Sequence, residues 1–506
     1  MKEEKRDNKA SRKKRQYEDT KLQTAIDKNL ELFKQVLHYP LNQDFIIKDL
    51  TIEDFERKCS LLYMKGTIDS SKLENNLVPS LKKINQIEMT EAISCWAVVV
   101  KQLDFMTVET VETLYKAVDK ILFGYAAILI DGCDIAVTVN ISKFEHRSIE
   151  KPSIENAIKG PMESFVEDVG TNISLIRKIV RNEQLISESI IKGQRTSDAI
   201  VLMYIKDIAD EEILECVKKR IYDISTDNIQ NLEIVEQYIE DRPYSLVPTV
   251  LYTERPDRVA AFLQEGHIAL LNNSSGGLIV PITFWSLFHT AEDYYQRWPY
   301  SNFVRLIRLI AFFLAMLTPS LYIAVTNYHV EMIPTDLLLA IGASREIVPF
   351  PAIVEVISME LAFEILREAG IRVPTPIGPT IGIVGALILG QAAVEANIVS
   401  PILVIVIAIT GLSSFAISEI STNFMIRIGR FVYLAFASFM GLYGIGLCFV
   451  VGVAYLVSIE SFGVPFFSPY APHYKSAGDT FYRPQLWTMI FRPFNIQQKN
   501  KVRNQQ

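Results

Sequence analysis

Four glutamates are the side chains in this sequence best placed to do chemistry. Glu355, Glu360 and Glu364 interrupt the apolar stretch Val348–Ala369, and Glu395 lies near the end of another apolar run. An ionisable group at bilayer depth is costly enough to need a reason. Glu360, Glu364 and Glu368 recur at i, i+4 and i+8, so on a helix they share one face. In a closed ring of subunits that face would form a carboxylate-lined path for cations. The other reading, to which the neighbouring Arg367 lends weight, is a helix lying on the membrane with its carboxylates in water.

Other chemistry is poorly supported. Gly385 and Gly390 have phosphate-loop spacing, but Gln391 and Ala392 replace the Lys and Ser/Thr that would meet phosphate and magnesium. The six histidines form no metal-binding pair on one helix face, and neither a G-x-S-x-G turn nor paired catalytic cysteines are present. Cys59, Cys95, Cys133, Cys216 and Cys448 are scattered and read as reduced structural thiols facing the cytoplasm. The expectation is a protein that is no enzyme and uses no cofactor or metal. A net charge of −7 without a basic stripe excludes nucleic acid as a partner.

The elements that would hold the glutamates are apolar helices. Leu309–Thr326, Ile381–Val394, Ile402–Ile417 and Phe431–Val457 carry almost no charge, and the first would reach about 27 Å as a helix, close to a hydrocarbon core of roughly 30 Å. Crossings are expected at about 306–327, 379–398, 401–420 and 431–457. Val348–Ala369 stays open between a re-entrant or protein-buried helix and a loop outside. Small residues recur four apart at Gly378 and Gly382, Ala386 and Gly390, and Ala437 and Gly441, spacing that lets helices approach closely within one subunit or between subunits. Phe284, Trp285, Phe288, Tyr294, Tyr295, Trp298 and Tyr300 crowd the approach to the first span, as rings of an interfacial belt would. Arg297, Arg305 and Arg308 precede that span, while Lys475, Arg483, Arg492, Lys499, Lys501 and Arg503 follow the last. Both termini are therefore expected to be cytoplasmic.

Charge returns every few residues upstream. No secretory signal opens the chain, and the basic segment through Arg15 reads as a solvated tail or one lying on anionic lipid. Strands are expected at Leu61–Met64, Tyr125–Ile130, Ala136–Asn140 and Ala199–Tyr204, with Asp131-Gly132 as a hairpin turn. Helices are expected at Thr107–Ile121, Met162–Arg181 and Glu211–Ile224. The second strand and helix set repeats the first. The fold class is thus an α/β or α+β soluble region of two small subdomains followed by an α-helical transmembrane bundle. The expected divisions are a tail (1–43), two cytoplasmic subdomains (44–160 and 161–297), the bundle (298–460) and a cytoplasmic C-terminal tail (461–506).

Several long blocks resemble the GerA family, the A subunits of bacterial spore germinant receptors. They are Ile158–Lys178 (IKGPMESFVEDVGTNISLIRK), Asp241–Gly266 (DRPYSLVPTVLYTERPDRVAAFLQEG), Glu292–Tyr295 (EDYY), His329–Ile341 (HVEMIPTDLLLAI), Val348–Pro374 (VPFPAIVEVISMELAFEILREAGIRVP), Gly390–Pro401 (GQAAVEANIVSP) and Ser461–Pro472 (SFGVPFFSPYAP). The resemblance covers roughly residues 50 to 490, and departs from the family at Asn272–Gly276 (NNSSG), where an Asp-Gly turn is expected. It implies a role in spore germination in the spore inner membrane, with membrane lipid, a transporter-like B subunit and a lipoprotein C subunit as partners. It also implies a homo-oligomeric ion-release channel component. The competing class is a secondary transporter or a signal-coupling scaffold without its own pore, but no repeated pattern of broken spans appears in Leu309–Val457.

Overall fold

The structure is a computed structural model. It describes the chain apart from residues 1–18, 52–57, 83–94, 104–106, 144–151, 153–154, 156, 373–389, 475–478, 494–495, 497 and 504–506. Two compact units emerge. One comprises Met1–Glu240, Val250–Pro281 and Phe491–Gln506, the other Asp241–Thr249 and Ile282–Ile490.

The first unit is built twice from one plan. Helix α1 (Ile26–Val36) leads to strands β1 (Phe45–Thr51) and β2 (Lys58–Met64). Helices α2 (Val78–Lys82) and α3 (Cys95–Gln102) follow, then β3 (Val108–Val111), α4 (Leu114–Leu122) and the hairpin of β4 (Tyr125–Ile130) and β5 (Ala136–Asn140). The succession then recurs: α5 (Val169–Ile179), β6 (Leu185–Lys192), β7 (Asp198–Ile205), α6 (Glu211–Asp223), α7 (Leu232–Ile239), β8 (Leu251–Thr253), α8 (Pro256–Gln264), β9 (Ile268–Leu271) and β10 (Gly277–Val280). The two 5-stranded sheets have orders β1-β2-β4-β5-β3 and β6-β7-β9-β10-β8, the same order displaced by one repeat. Every pairing is antiparallel, which decides for α+β over α/β.

Burial explains why these strands read as unbroken apolar runs. Leu61 and Ile128 enter a core on one face of the first sheet with Leu77 and Val137. Their chain neighbours Leu62, Ala127 and Leu129 enter another, with Phe33 and Ile121. Both faces of the sheet are covered, so the usual alternation with polar residues disappears.

The repeats share fine detail as well as order. Asn29 accepts from the Gln23 amide at 2.9 Å and donates to the Gln23 carbonyl at 2.6 Å. Asn172 does the same to Val166, at 2.9 and 2.6 Å. Asp131 Oδ1 accepts from the Ile26 amide in the first repeat, and Asn273 Oδ1 from the Val169 amide in the second. The Asn272–Gly276 loop thus makes the first repeat's contact through Asn273. Gly124 and Gly266 follow α4 and α8 at φ +86° and +98°, left-handed positions that favour glycine.

Three sequence expectations need correction. The strand β3 takes the first part of Thr107–Ile121, because its β-branched residues pair with β5 and the helix starts only at Leu114. The helix expected from Met162 begins at Val169, where Asp168 accepts from the Thr171 amide at 2.7 Å. The residues after 461 are no free tail. Ser461 and Phe466 are buried in the second unit, while Phe491–Gln506 joins the first. There the Lys499 amide donates to the Ile208 carbonyl at 3.1 Å, Gln498 to the Glu265 carbonyl at 2.6 Å and Arg503 to the Glu265 carboxylate at 3.1 Å.

In the second unit α9 (Glu292–Tyr295) precedes a long helix, α10 (Trp298–Asn327). Then come α11 (Thr335–Glu346), α12 (Ala352–Arg372), α13 (Pro401–Phe415), α14 (Ile420–Met440), α15 (Leu442–Ser458) and a hairpin of β11 (Glu460–Ser461) and β12 (Val464–Pro465). Among the described residues α10 alone is long and apolar enough to cross a membrane, and α13 and α15 are shorter apolar helices. The span expected at 431–457 is two helices. Gly441 breaks it at φ +60°, where a Cβ would lie 2.8 Å from Tyr328 Cβ. The span expected at 379–398 lies largely outside the described residues.

The C-terminal docking is testable on residues 19–281 expressed alone. Adding a peptide of residues 491–506 is expected to raise the fragment's melting temperature by several degrees, since a contribution of about 1 kcal/mol moves a domain of this size by roughly 2–4 °C. An unchanged midpoint would show that the peptide adds nothing.

The same fragment carries a buried histidine. Burial lowers the pKa of His267 from 6.5 to about 4, opposed by the hydrogen bond from Nδ1 to the Pro281 carbonyl at 2.6 Å. The unfolded chain therefore takes up the proton first. Stability from this group is complete above about pH 6.5 and falls towards pH 4, by about 3 kcal/mol at most. In urea titrations between pH 7 and 4, His267→Gln is expected to flatten that decline relative to the parent.

Candidate functional site: a buried charge cluster in the helical unit

The directions of the helices decide which charges meet. Met316 lies beside Gly429, and Ala324 packs with Ala437, so α10 and α14 run parallel. On α12, Glu355 accepts from the Ser400 amide at 3.1 Å at one end, and Arg367 donates to Ser414 at the other. This sets α12 parallel to α13. Glu360 faces Arg430 and Glu364 faces Arg427, one turn apart in opposite sense, so α12 is antiparallel to α14. Of residues 348–369, undecided in the sequence, those from Ala352 on are therefore a helix packed within the bundle rather than an external loop.

The glutamates are held within the protein. Arg430 is 1% exposed, and its Nη2 lies 3.0 Å from Glu360, itself 1% exposed, and 2.7 Å from Glu364. Arg427 Nε donates to the second oxygen of Glu364 at 2.7 Å. The contact to Glu360 is a charge pairing without hydrogen-bond alignment, for neither carboxylate oxygen finds a donor. Glu355 is buried too, 3.7 Å from Arg345. Arg367 stacks its guanidinium over Phe363 and Phe415. Glu395 stands apart and accepts from Gln391 at 2.9 Å at an exposed position. The structure thus brings together Glu360 and Glu364, places Glu355 at the far end of the same helix and leaves Glu395 outside.

The expected open carboxylate face is corrected accordingly: within one protomer, arginines rather than water occupy it. Arg427 and Arg430 were missed because the sequence reading started a span at Phe431 and treated them as a connection. Their i, i+3 spacing could have identified them as partners for carboxylates four apart. Of the small residues, Ala437 is buried against α10, and a Cβ on Gly390 would meet Val404 at 3.4 Å. Gly441 forms a turn instead of a helix face. Gly378, Gly382 and Ala386 lie outside the described residues.

A second cluster sits at the start of α10. Asp293, 3% exposed, receives Arg305 at 2.9 Å and Arg308 at 3.3 Å. Asp479 pairs with Arg305 and accepts from Tyr294, and Arg483 donates to the Asp293 carbonyl. Burial raises the pKa of Asp293 and Asp479, but the neighbouring cations outweigh it and hold both below the usual carboxylate value. These basic residues answer buried acids, so they do not serve as the free interfacial charges from which the orientation was read. Phe284, Trp285 and Phe288 are likewise no belt. They form a buried aromatic cluster with Phe312, Phe466 and Phe467. Among the described residues no group of three His, Cys, Asp or Glu could hold a metal ion.

A family model described as Bacillus/Clostridium GerA spore germination protein matches residues 31–495. The chain belongs to the GerA family. It is 39% identical to Spore germination protein KA of Bacillus subtilis over 466 residues, covering 91% of this chain and 85% of that protein. It is 38% identical to Uncharacterized membrane protein YfkQ of the same organism over 438 residues, covering 86% of this chain and 84% of that protein. A crystal structure of the N-terminal domain of the A subunit of the Bacillus megaterium spore germinant receptor GerK3 aligns at 25% identity and a TM-score of 0.41, covering 52% of this chain and 98% of that one. Family membership makes this chain a spore germination protein of the A-subunit type.

Removing one member of a buried ion pair costs about 3–5 kcal/mol, whereas an apolar replacement of both is often neutral. Arg430→Met is therefore expected to destabilise the purified protein by about 3 kcal/mol. Glu360→Leu with Arg430→Met should restore most of that, because Arg427 still answers Glu364. Thermal unfolding in detergent reads both.

Proposed function

We propose that the chain is the membrane subunit of a spore germinant receptor, required for nutrient-triggered germination and acting as an oligomeric ion-release channel component. Its partners are a transporter-like B subunit, a lipoprotein C subunit, further copies of itself and the lipid of the spore inner membrane. It carries out no catalysis. The observation that carries the reading is the buried pair of Glu360 and Arg430, extended by the partly buried Glu364 and Arg427, between two helices whose outer faces are apolar. Charges at such depth mark ion pathways or the elements that gate them. A bundle exposing Ile310, Phe313, Ile405, Ile409, Val450 and Val451 suits lipid or a neighbouring subunit far better than water.

Multiple crossings accord with the helix directions, and so do termini on one cytoplasmic side. Helix α10 runs one way, α12 and α13 the other, α14 with α10 and α15 back again. The start of α10 and the end of α15 share one end of the bundle, where Arg242 reaches the Ser458 carbonyl at 2.8 Å and Ser461 accepts from the Ile282 amide at 3.1 Å. The second reading is a coupling scaffold without its own pore, in which the same cluster holds the bundle in register. Sealed pairing inside one protomer favours that role for the closed state.

Ion efflux from spores separates the two. Glu360→Gln and Glu364→Gln are each expected to slow cation release after germinant addition at matched protein levels, and Glu→Asp at either site should retain more activity. Normal release by both Gln variants would remove the cluster from the ion path and leave the scaffold.

A further inference from the structure

The residues after the last helix hold an apolar surface of their own. Tyr482 stacks edge-on against Trp298 with ring centroids 5.5 Å apart. The Arg483 carbonyl accepts from Trp298 Nε1 at 2.8 Å and from Asn302 at 3.1 Å, while its amide donates to Asn302 at 2.7 Å. These bonds fasten the segment to the first turns of α10. Just beyond, a short turn of helix at Leu486–Thr488 presents Leu486 and Trp487 outward, Trp487 at 63% exposure, while Met489 points in. Arg297, just before α10, and Tyr300 and Phe303 on its first turns are exposed at the same level.

We propose that the segment 481–490 is an in-plane anchor that rests in the lipid headgroup layer. The inference builds on the membrane reading above. Continuity argues for lipid as the occupant. The exposed flank of α10 runs without a break from Tyr300 and Phe303 into Leu306, Ile310 and Phe313, part of the apolar surface proposed above to meet lipid or a neighbouring subunit. Asn302, level with Arg483, lies only about 6 Å along the axis below Leu306. A headgroup layer of some 5–8 Å on each side of the hydrocarbon puts Tyr482 and Trp487 within it. The composition is that of such a layer: ring systems with a polar edge, and a guanidinium at Arg297 that can meet lipid phosphate. Of the belt the sequence placed from Phe284 to Tyr300, Phe284, Trp285 and Phe288 are buried while Tyr300 is exposed; Tyr482 and Trp487 add outward rings from beyond the last helix.

Full-length protein reconstituted in phosphatidylcholine–phosphatidylglycerol vesicles tests this by fluorescence quenching with brominated lipids. The Trp487 component is the difference between the parent and Trp487→Phe. Lipids brominated near the carbonyl are expected to quench most of it, while aqueous iodide leaves it largely unaffected. A second variant, Leu314→Trp with Trp487→Phe, reports the middle of α10 and should be quenched by lipids brominated deep in the chain. If Leu314→Trp is quenched but the Trp487 component responds to iodide, the anchor is wrong and the membrane reading stands. If the Trp487 component resists both quenchers, a protein surface covers it and the anchor is likewise overturned. If Leu314→Trp escapes deep quenching, the membrane reading itself has failed.

Discussion

A guanidinium as buried as that of Arg430 keeps its charge and is costly to bury unless carboxylates lie within reach. That constraint organises the helical unit. Glu360 and Glu364, one turn apart on α12, must both be presented to α14, which fixes the rotation of the two helices and their register along the axis. Once α12 is set, Glu355 comes under the amide of Ser400, Arg367 comes to Ser414, and α13 follows in parallel. Apolar contacts such as Val356 and Leu403 tolerate sliding; the charges do not.

The charge constraint also shows why part of this site was legible and part was not. Carboxylates in an apolar stretch stand out in a sequence, and the spacing of Glu360 and Glu364 gave their shared face. Their partners were invisible because Arg427 and Arg430 precede a hydrophobic run, the position in which basic residues most often meet headgroups. Arg305 and Arg308 misled for the same reason: composition cannot distinguish an arginine that faces phosphate from one that answers a buried Asp293 some 12–15 residues away. Gly441 was read as a small helix-packing residue. Its turn has a left-handed φ, and a side chain there would run into Tyr328, more than a hundred residues upstream.

The first unit was read more fully, because its signals are local. Asp131-Gly132 announced its hairpin, and β2, β4, β5 and β7 lie where apolar β-type runs placed them. The errors came where propensity was followed past a boundary, at Thr107–Val111 and Met162–Asp168. That a second set repeats the first was apparent in outline. Its depth, down to Asn29 and Asn172 making the same pair of bonds, appears only when the strand orders are compared.

Residues 491–506 complete a unit whose first strand lies more than four hundred residues earlier. During synthesis they emerge only after the helices from α10 to α15. The second repeat therefore waits, with the surface around Ile208 and Gly266 uncovered, until residues 491–506 have been made. A truncated product from a broken message would carry the whole hydrophobic bundle yet lack that closure, leaving it open to cellular quality control.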